Sequence, residues 1–160
     1  MKREDDKIMK PVLYLDIDGV LWNVNSEGAF VGANGLEDFL SFVLDKFELR
    51  WCTAWACRGY VATDSLERLA AHTGVPVKTW KLVKASLGWR HEKHENIDLD
   101  EIRAGRKFVW VEDELSPDEY KFLSDNNWLD NFFFTDVFRD RDALIKTTEK
   151  IKEWCTSNGI

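Results

Sequence analysis

Two short apolar runs, each ending in carboxylates, constrain this chain more than anything else in it. Val12-Leu-Tyr-Leu-Asp16-Ile-Asp18 stops at Gly19, and Lys107-Phe-Val-Trp-Val-Glu112-Asp113 stops just before a Ser116-Pro117 helix start. A short continuous apolar run of this kind reads as a strand buried on both faces, and such strands belong to parallel sheets covered by helices. Parallel neighbours need crossover connections, and in sheets built this way ligands meet the C-terminal strand ends. Both acidic pairs are therefore expected on one rim.

The rest of the pattern fits that layout. Leu36, Phe39, Leu40, Val43, Leu44 and Phe47 recur at helical spacing, ahead of a strand over about residues 48–53 that ends in Thr53. A helix over 61–72 stops at Gly74, which can take the left-handed conformation. Residues 75–80 read as a weaker strand, and 81–95, rich in charge, as helix and loop. A last strand over 131–137 leads to a closing helix over 140–154, with Leu144, Thr148, Ile151 and Cys155 on one face. The stretch 21–35, with glycine, asparagine and serine and no sustained period, reads as a mobile loop. Five strands alternating with helices predict an α/β fold: three layers, Rossmann-like, around a mostly parallel five-stranded sheet, as one domain over 1–160 with no separate cap.

Composition removes several alternatives. With 44% hydrophobic residues, eight tryptophans and three prolines in 160 residues, the chain packs a core and is not a disordered one. Twenty-two basic against 29 acidic residues give −7, so charge does not indicate a nucleic-acid or anionic-membrane surface and leaves room only for a local basic groove. Cys52, Cys57 and Cys155 are odd in number and form no C-x-x-C, which suits buried reduced thiols better than disulfides or zinc. Met1 to Lys10 is mostly charged, unlike a signal peptide, and no apolar run is long enough to span a bilayer, so the expectation is a cytoplasmic protein with no membrane partner.

Asp16 and Asp18, two apart in extended backbone, point the same way. Alone, a D-x-D is common in turns and caps. Its weight comes from Glu112-Asp113 ending a second strand and Thr53 ending a third. Several carboxylates converging without a cation repel one another, so the economical partner is a hard, oxygen-loving ion, Mg²⁺, which takes one or two carboxylates together with a substrate phosphate. One of the two leading acids would attack phosphorus while the other gives a proton to the leaving oxygen and later takes one from water, with a threonine hydroxyl and a lysine ammonium around the transferring group. Near these motifs Trp110 reads as core. Trp22 and Trp55 read as packing first and as a stacking surface for an aromatic substrate second. His91, His94, Asp136 and Arg139 read as solvated or helix-capping residues.

The ordered set, Asp16-Ile-Asp18-Gly19-Val20 after a strand, Thr53-Ala54-Trp55 after a second, a lysine, then Val109-Trp-Val-Glu112-Asp113-Glu114, resembles the haloacid dehalogenase (HAD) superfamily of Mg²⁺-dependent phosphohydrolases over essentially the whole chain. It is similar in particular to small HAD domains, including those associated with RNA-repair proteins. The resemblance implies a phosphatase working through an aspartyl-phosphate: Asp16 as nucleophile and metal ligand, and Asp18 as general acid/base, binding metal through its backbone carbonyl. It also implies Thr53 on the phosphoryl oxygens, with Gly19, Ala54 and Trp22 beside the substrate, and Asp113 as metal ligand with Glu112 next to it, direct or through water. For the lysine it favours Lys93, twenty residues before Asp113, followed by Lys84 and Lys81; Lys107 begins its strand on the wrong edge and Lys78 falls in or before a strand. Thirty-seven residues separate Asp16 from Thr53 and forty separate Thr53 from Lys93, all used by predicted elements. The expected substrate is thus a phosphorylated compound of unknown identity, bulky or macromolecular because no cap closes over the site. Two alternatives stand beside the phosphatase. One is a receiver-like phospho-accepting domain, which the motif order disfavours, and the other a non-catalytic HAD-like binding module.

Overall fold

The computed structural model describes residues 9–160, and the charged stretch on which the expectation of a leaderless chain rests lies almost wholly outside the described residues. Four strands form a parallel sheet: β1 (Val12–Leu15), β4 (Glu48–Trp51), β5 (Phe108–Glu112) and β6 (Phe132–Phe134), in the order β4-β1-β5-β6. A separate antiparallel pair joins β2 (Trp22–Val24) to β3 (Phe30–Gly32). Strand alternation divides the core in two. Leu13, Leu15, Leu49, Trp51, Val109 and Val111 face one cluster, under α1 (Leu36–Lys46), α2 (Thr63–Thr73) and α6 (Ala143–Asn158). Val12, Tyr14, Phe108 and Trp110 face the other, with Leu123 of α5 (Pro117–Asp125) and Ile97, which lies just before α4 (Leu99–Arg103). Helices thus pack against a parallel sheet, as the expected α/β class requires. Each large side chain fully withdrawn from water contributes about 1.5–3 kcal/mol.

Among the described residues the parallel sheet has four strands, not five. Residues 75–80 do not extend; Val77–Trp80 is a short helix, α3, with Pro76 as its N-cap. Proline has no N–H to give a ladder, and its fixed φ suits the position before a helical turn. Trp80 is instead driven fully into the core, with its ring 6.2 Å from that of Trp51. The edge of β4 is covered four residues later, where Lys84 donates its N–H to Leu49 O at 2.8 Å and accepts from Trp51 N at 3.1 Å, a single parallel bridge in place of a strand.

Residues 21–35 are likewise more ordered than a patternless loop. Asn25 accepts hydrogen bonds from the backbone of Glu27 and Ala29, closing the turn between β2 and β3, and Asn23 Nδ2 donates to Val137 O at 2.7 Å, tying the hairpin to the segment after β6. The helix punctuation matches expectation. Gly74 caps α2 at φ 74°, Ser116 and Glu119 form a reciprocal capping box on α5, and Leu144, Thr148, Ile151 and Cys155 are the buried face of α6. Cys52 and Cys155 are buried, but Cys57 is exposed, contrary to the reading of all three as interior thiols. No helix among the described residues is long and apolar enough to cross a membrane.

Candidate functional site

Strand register brings the acids together. Leu15 of β1 pairs with Trp51 of β4 and with Val111 of β5, so the next residues along, Asp16, Cys52 and Glu112, lie level, and Thr53 and Asp113 lie one step beyond. β1 is the point at which the chain first turns to one side, to β4, and then crosses to the other, to β5, leaving the crevice typical of ligand sites in open α/β sheets. One carboxylate oxygen from each of Asp16, Glu112 and Asp113 lies within 4.8 Å of the others. Asp16 and Glu112 are buried; Asp113 is half-buried.

Lys93 Nζ enters this cluster, 2.9 Å from Glu112 Oε2 and 3.3 Å from Asp16 Oδ1. The other two candidate lysines lie elsewhere: Lys84 pairs with Glu48 at the opposite end of β4, and Lys81 is exposed just after α3. The charge balance shows in the titration of the groups. Burial, and then the negative charge of Asp16, pushes Glu112 well above the usual carboxylate range, and burial also raises Asp113. Burial works against the ammonium of Lys93, but Asp16 and Glu112 outweigh it and raise its pKa. Three acids facing one ammonium favour a further cation, and an all-oxygen donor set suits a hard ion such as Mg²⁺.

Several side chains that the sequence did not single out hold Lys93 in place. It opens a 3₁₀ turn, Lys93–Asn96, whose first N–H donates to Glu119 Oε1 at 3.0 Å, so the α5 capping box also anchors the lysine. Asn96, fully buried, donates to Lys93 O at 2.9 Å and accepts from Ser86 Oγ and Gly88 N at 2.6 and 3.2 Å. Glu119 had a signal, the S-x-x-E spacing from Ser116. Asn96, alone in a charged segment, had none. Gly19 fits for steric reasons: at φ 73° it runs so close to Asp113 that a Cβ there would stand 2.1 Å from Asp113 Oδ2.

Asp18 stands apart from the cluster. Its Oδ1 accepts from Trp22 Nε1 at 3.0 Å and its Oδ2 from Trp55 Nε1 at 2.9 Å, so both oxygens are held by indoles. These two tryptophans therefore have a polar task besides packing. Trp110 is buried core, as expected. Thr53 is buried, caps the turn Ala54–Ala56 and accepts from Trp55 N at 3.4 Å; Ala54 is exposed beside it. Asp136 caps its own turn, accepting from Phe138 and Arg139 N, and His91 is exposed, whereas His94 stacks on Phe122 at 4.3 Å instead of lying in solvent. No protein-family model matches the chain, and no curated protein or solved structure is significantly similar to it.

Proposed function

We propose that this chain is a Mg²⁺-dependent phosphohydrolase of the HAD type, cleaving phosphate monoesters through an aspartyl-phosphate on Asp16. The observation that carries the reading is the division of labour at the rim: Asp16 buried against Lys93 and two further acids, and Asp18 held apart by two indoles. Asp16, Asp113 and the backbone carbonyl of Asp18 would hold the ion, with Glu112 direct or through water. When bound, the ion would draw charge from the phosphoryl oxygens and offset the repulsion between two anions.

In the first half-reaction an Asp16 carboxylate oxygen attacks phosphorus, the ester P–O bond breaks, and Asp18 gives its proton to the leaving oxygen. In the second, Asp18 takes a proton from the attacking water, the aspartyl P–O bond breaks, and inorganic phosphate leaves with Asp16 restored. Lys93 and Thr53 keep the phosphoryl group and Asp16 oriented. Each Asp18 oxygen keeps a second lone pair beside the one its indole engages, so the carboxyl can carry a proton with both indoles in place, and the two N–H donors fix its orientation. The test is release of phosphate from p-nitrophenyl phosphate with and without Mg²⁺. Asp16→Asn should abolish it, and turnover at the wild-type rate would overturn the nucleophile assignment.

A further inference from the structure

If Asp18 protonates the leaving oxygen, in-line displacement puts the leaving group on the Asp18 side of phosphorus, away from Asp16. What stands there is aromatic. The Trp22 indole that holds Asp18 Oδ1 continues outward into Phe30 on the β2–β3 hairpin and Phe138 after β6, whose rings meet it edge-on with centroids 5.1 and 5.2 Å away. Those two phenyl rings are 50% and 48% exposed. The hairpin and the Phe138 segment are fastened together through Asn23 and Val137, so the three rings form one surface. On the other side of Asp18, Trp55 carries the Arg68 guanidinium 4.5 Å from its ring centroid. One face of Phe30 is covered by the His72 ring stacked on it at 4.1 Å, and the exposed remainder of Phe30 and Phe138 offers a flat ring more than it offers a leaving group built of hydroxyls.

Resting on the phosphatase reading, we infer that the natural substrate is a phosphate monoester whose leaving group bears a planar aromatic or heteroaromatic ring, bound against Trp22, Phe30 and Phe138. The ring is either attached directly to the ester oxygen, as in an aryl phosphate, or set back by a sugar, as in a nucleoside monophosphate. Direct attachment would place it over Trp22, next to Asp18; a sugar spacer would carry it to Phe30 and Phe138.

The experiment compares kcat/KM of the full chain with Mg²⁺ on phenyl phosphate, adenosine 5′-monophosphate and glycerol 2-phosphate, in wild type and in Phe30→Ser/Phe138→Ser, both exposed positions. The expected result is a preference of at least about 10-fold for one ring-bearing ester over the glycerol ester, expressed in KM, and its loss in the double variant. Which ester wins identifies the spacing. Equal turnover of all three by wild type, or a proportional fall on all three in the variant, overturns the inference. Equilibrium binding of phenylphosphonate against methylphosphonate, neither of which has an ester to cleave, separates this from failure of the phosphatase reading. If no ester is turned over but the phenyl ligand binds more tightly and the variant abolishes the difference, hydrolysis fails and ring recognition stands. Equal binding of the two phosphonates sinks the ring-binding surface.

Discussion

Replacing Lys93 with methionine tests the charge balance of the site without asking anything of a substrate. The ammonium lies 2.9 Å from Glu112 and 3.3 Å from Asp16, and its side chain is only 21% exposed. At an effective dielectric of about 20 the Asp16 contact is an attraction on the order of 5 kcal/mol before desolvation is subtracted, while Glu112, pushed well above the usual carboxylate range, accepts a hydrogen bond from the same ammonium. Lys93 is therefore what makes a buried Asp16 carboxylate tolerable beside Glu112. Methionine fills most of its volume but removes the compensation, and breaking a buried pair from one side costs roughly 3–5 kcal/mol. For a domain of this size that is a fall in Tm of roughly 6–20 °C.

Thermal melts in EDTA and in Mg²⁺ give the measurement. Mg²⁺ at a hundredfold over its Kd adds about 2.7 kcal/mol to whichever form binds it, so wild type should rise by roughly 5–11 °C and the variant should recover part of its loss. A Lys93→Met protein that melts within about 2 °C of wild type in EDTA, and responds to Mg²⁺ no differently, refutes the idea that this lysine offsets the acids.

At the opposite end of β4, burial tends to raise Glu48, but hydrogen bonds from Lys84 and Arg50 and the charge of Arg106 win and lower it from 4.5 to about 2. Its stabilisation, about 1–2 kcal/mol after screening, is present above pH 4.5 and is lost as pH falls toward 2, so urea melts of wild type and Glu48→Gln should converge over that window. Gly19→Ala would strain a left-handed residue by about 1–2 kcal/mol and push its Cβ onto Asp113; melts should show that loss together with a weakened response to Mg²⁺. Asn96→Ala leaves the Lys93 carbonyl, the Ser86 hydroxyl and the Gly88 N–H short of partners, costing about 1–3 kcal/mol; phosphate release should show a lower kcat with KM little changed, because the lysine is displaced rather than deleted.

The parts of this molecule that were legible in the sequence are those where one strand carries all the information. β1 and β5 are apolar on both faces because both are covered, and their pairing through Leu15 and Val111 sets Asp16 level with Glu112 without help from any loop. The helix punctuation at Gly74 and Ser116 was legible for the same local reason. The errors fall where tertiary context decides. The apolar residues at 75–80 satisfy strand and helix equally over so short a span, and Pro76 with the core position of Trp80 tips them to helix. Residues 21–35 show no period because strands of three residues are too short to display one; they are held by Asn23 and Asn25, whose hydrogen bonds are invisible to a hydrophobicity pattern.

The same distinction runs through the site. Carboxylates at strand tips are placed by the sheet, but Lys93 and Asp18 depend on loops, and loops need support of their own: Asn96 and Glu119 behind the lysine, Trp22 and Trp55 around the second acid. That support differs in kind. Asn96 is fully buried with each of its polar atoms bonded, so the lysine is fixed. Trp22 belongs to a three-residue strand held by an antiparallel partner and an asparagine, and its indole lies half-buried between two exposed phenyl rings. On the reading proposed above, the supports divide with the roles: Asp16 and Glu112 are set by strand register and Lys93 by a buried asparagine, whereas the acid assigned the proton transfers hangs from indoles on the hairpin and on the turn after Thr53.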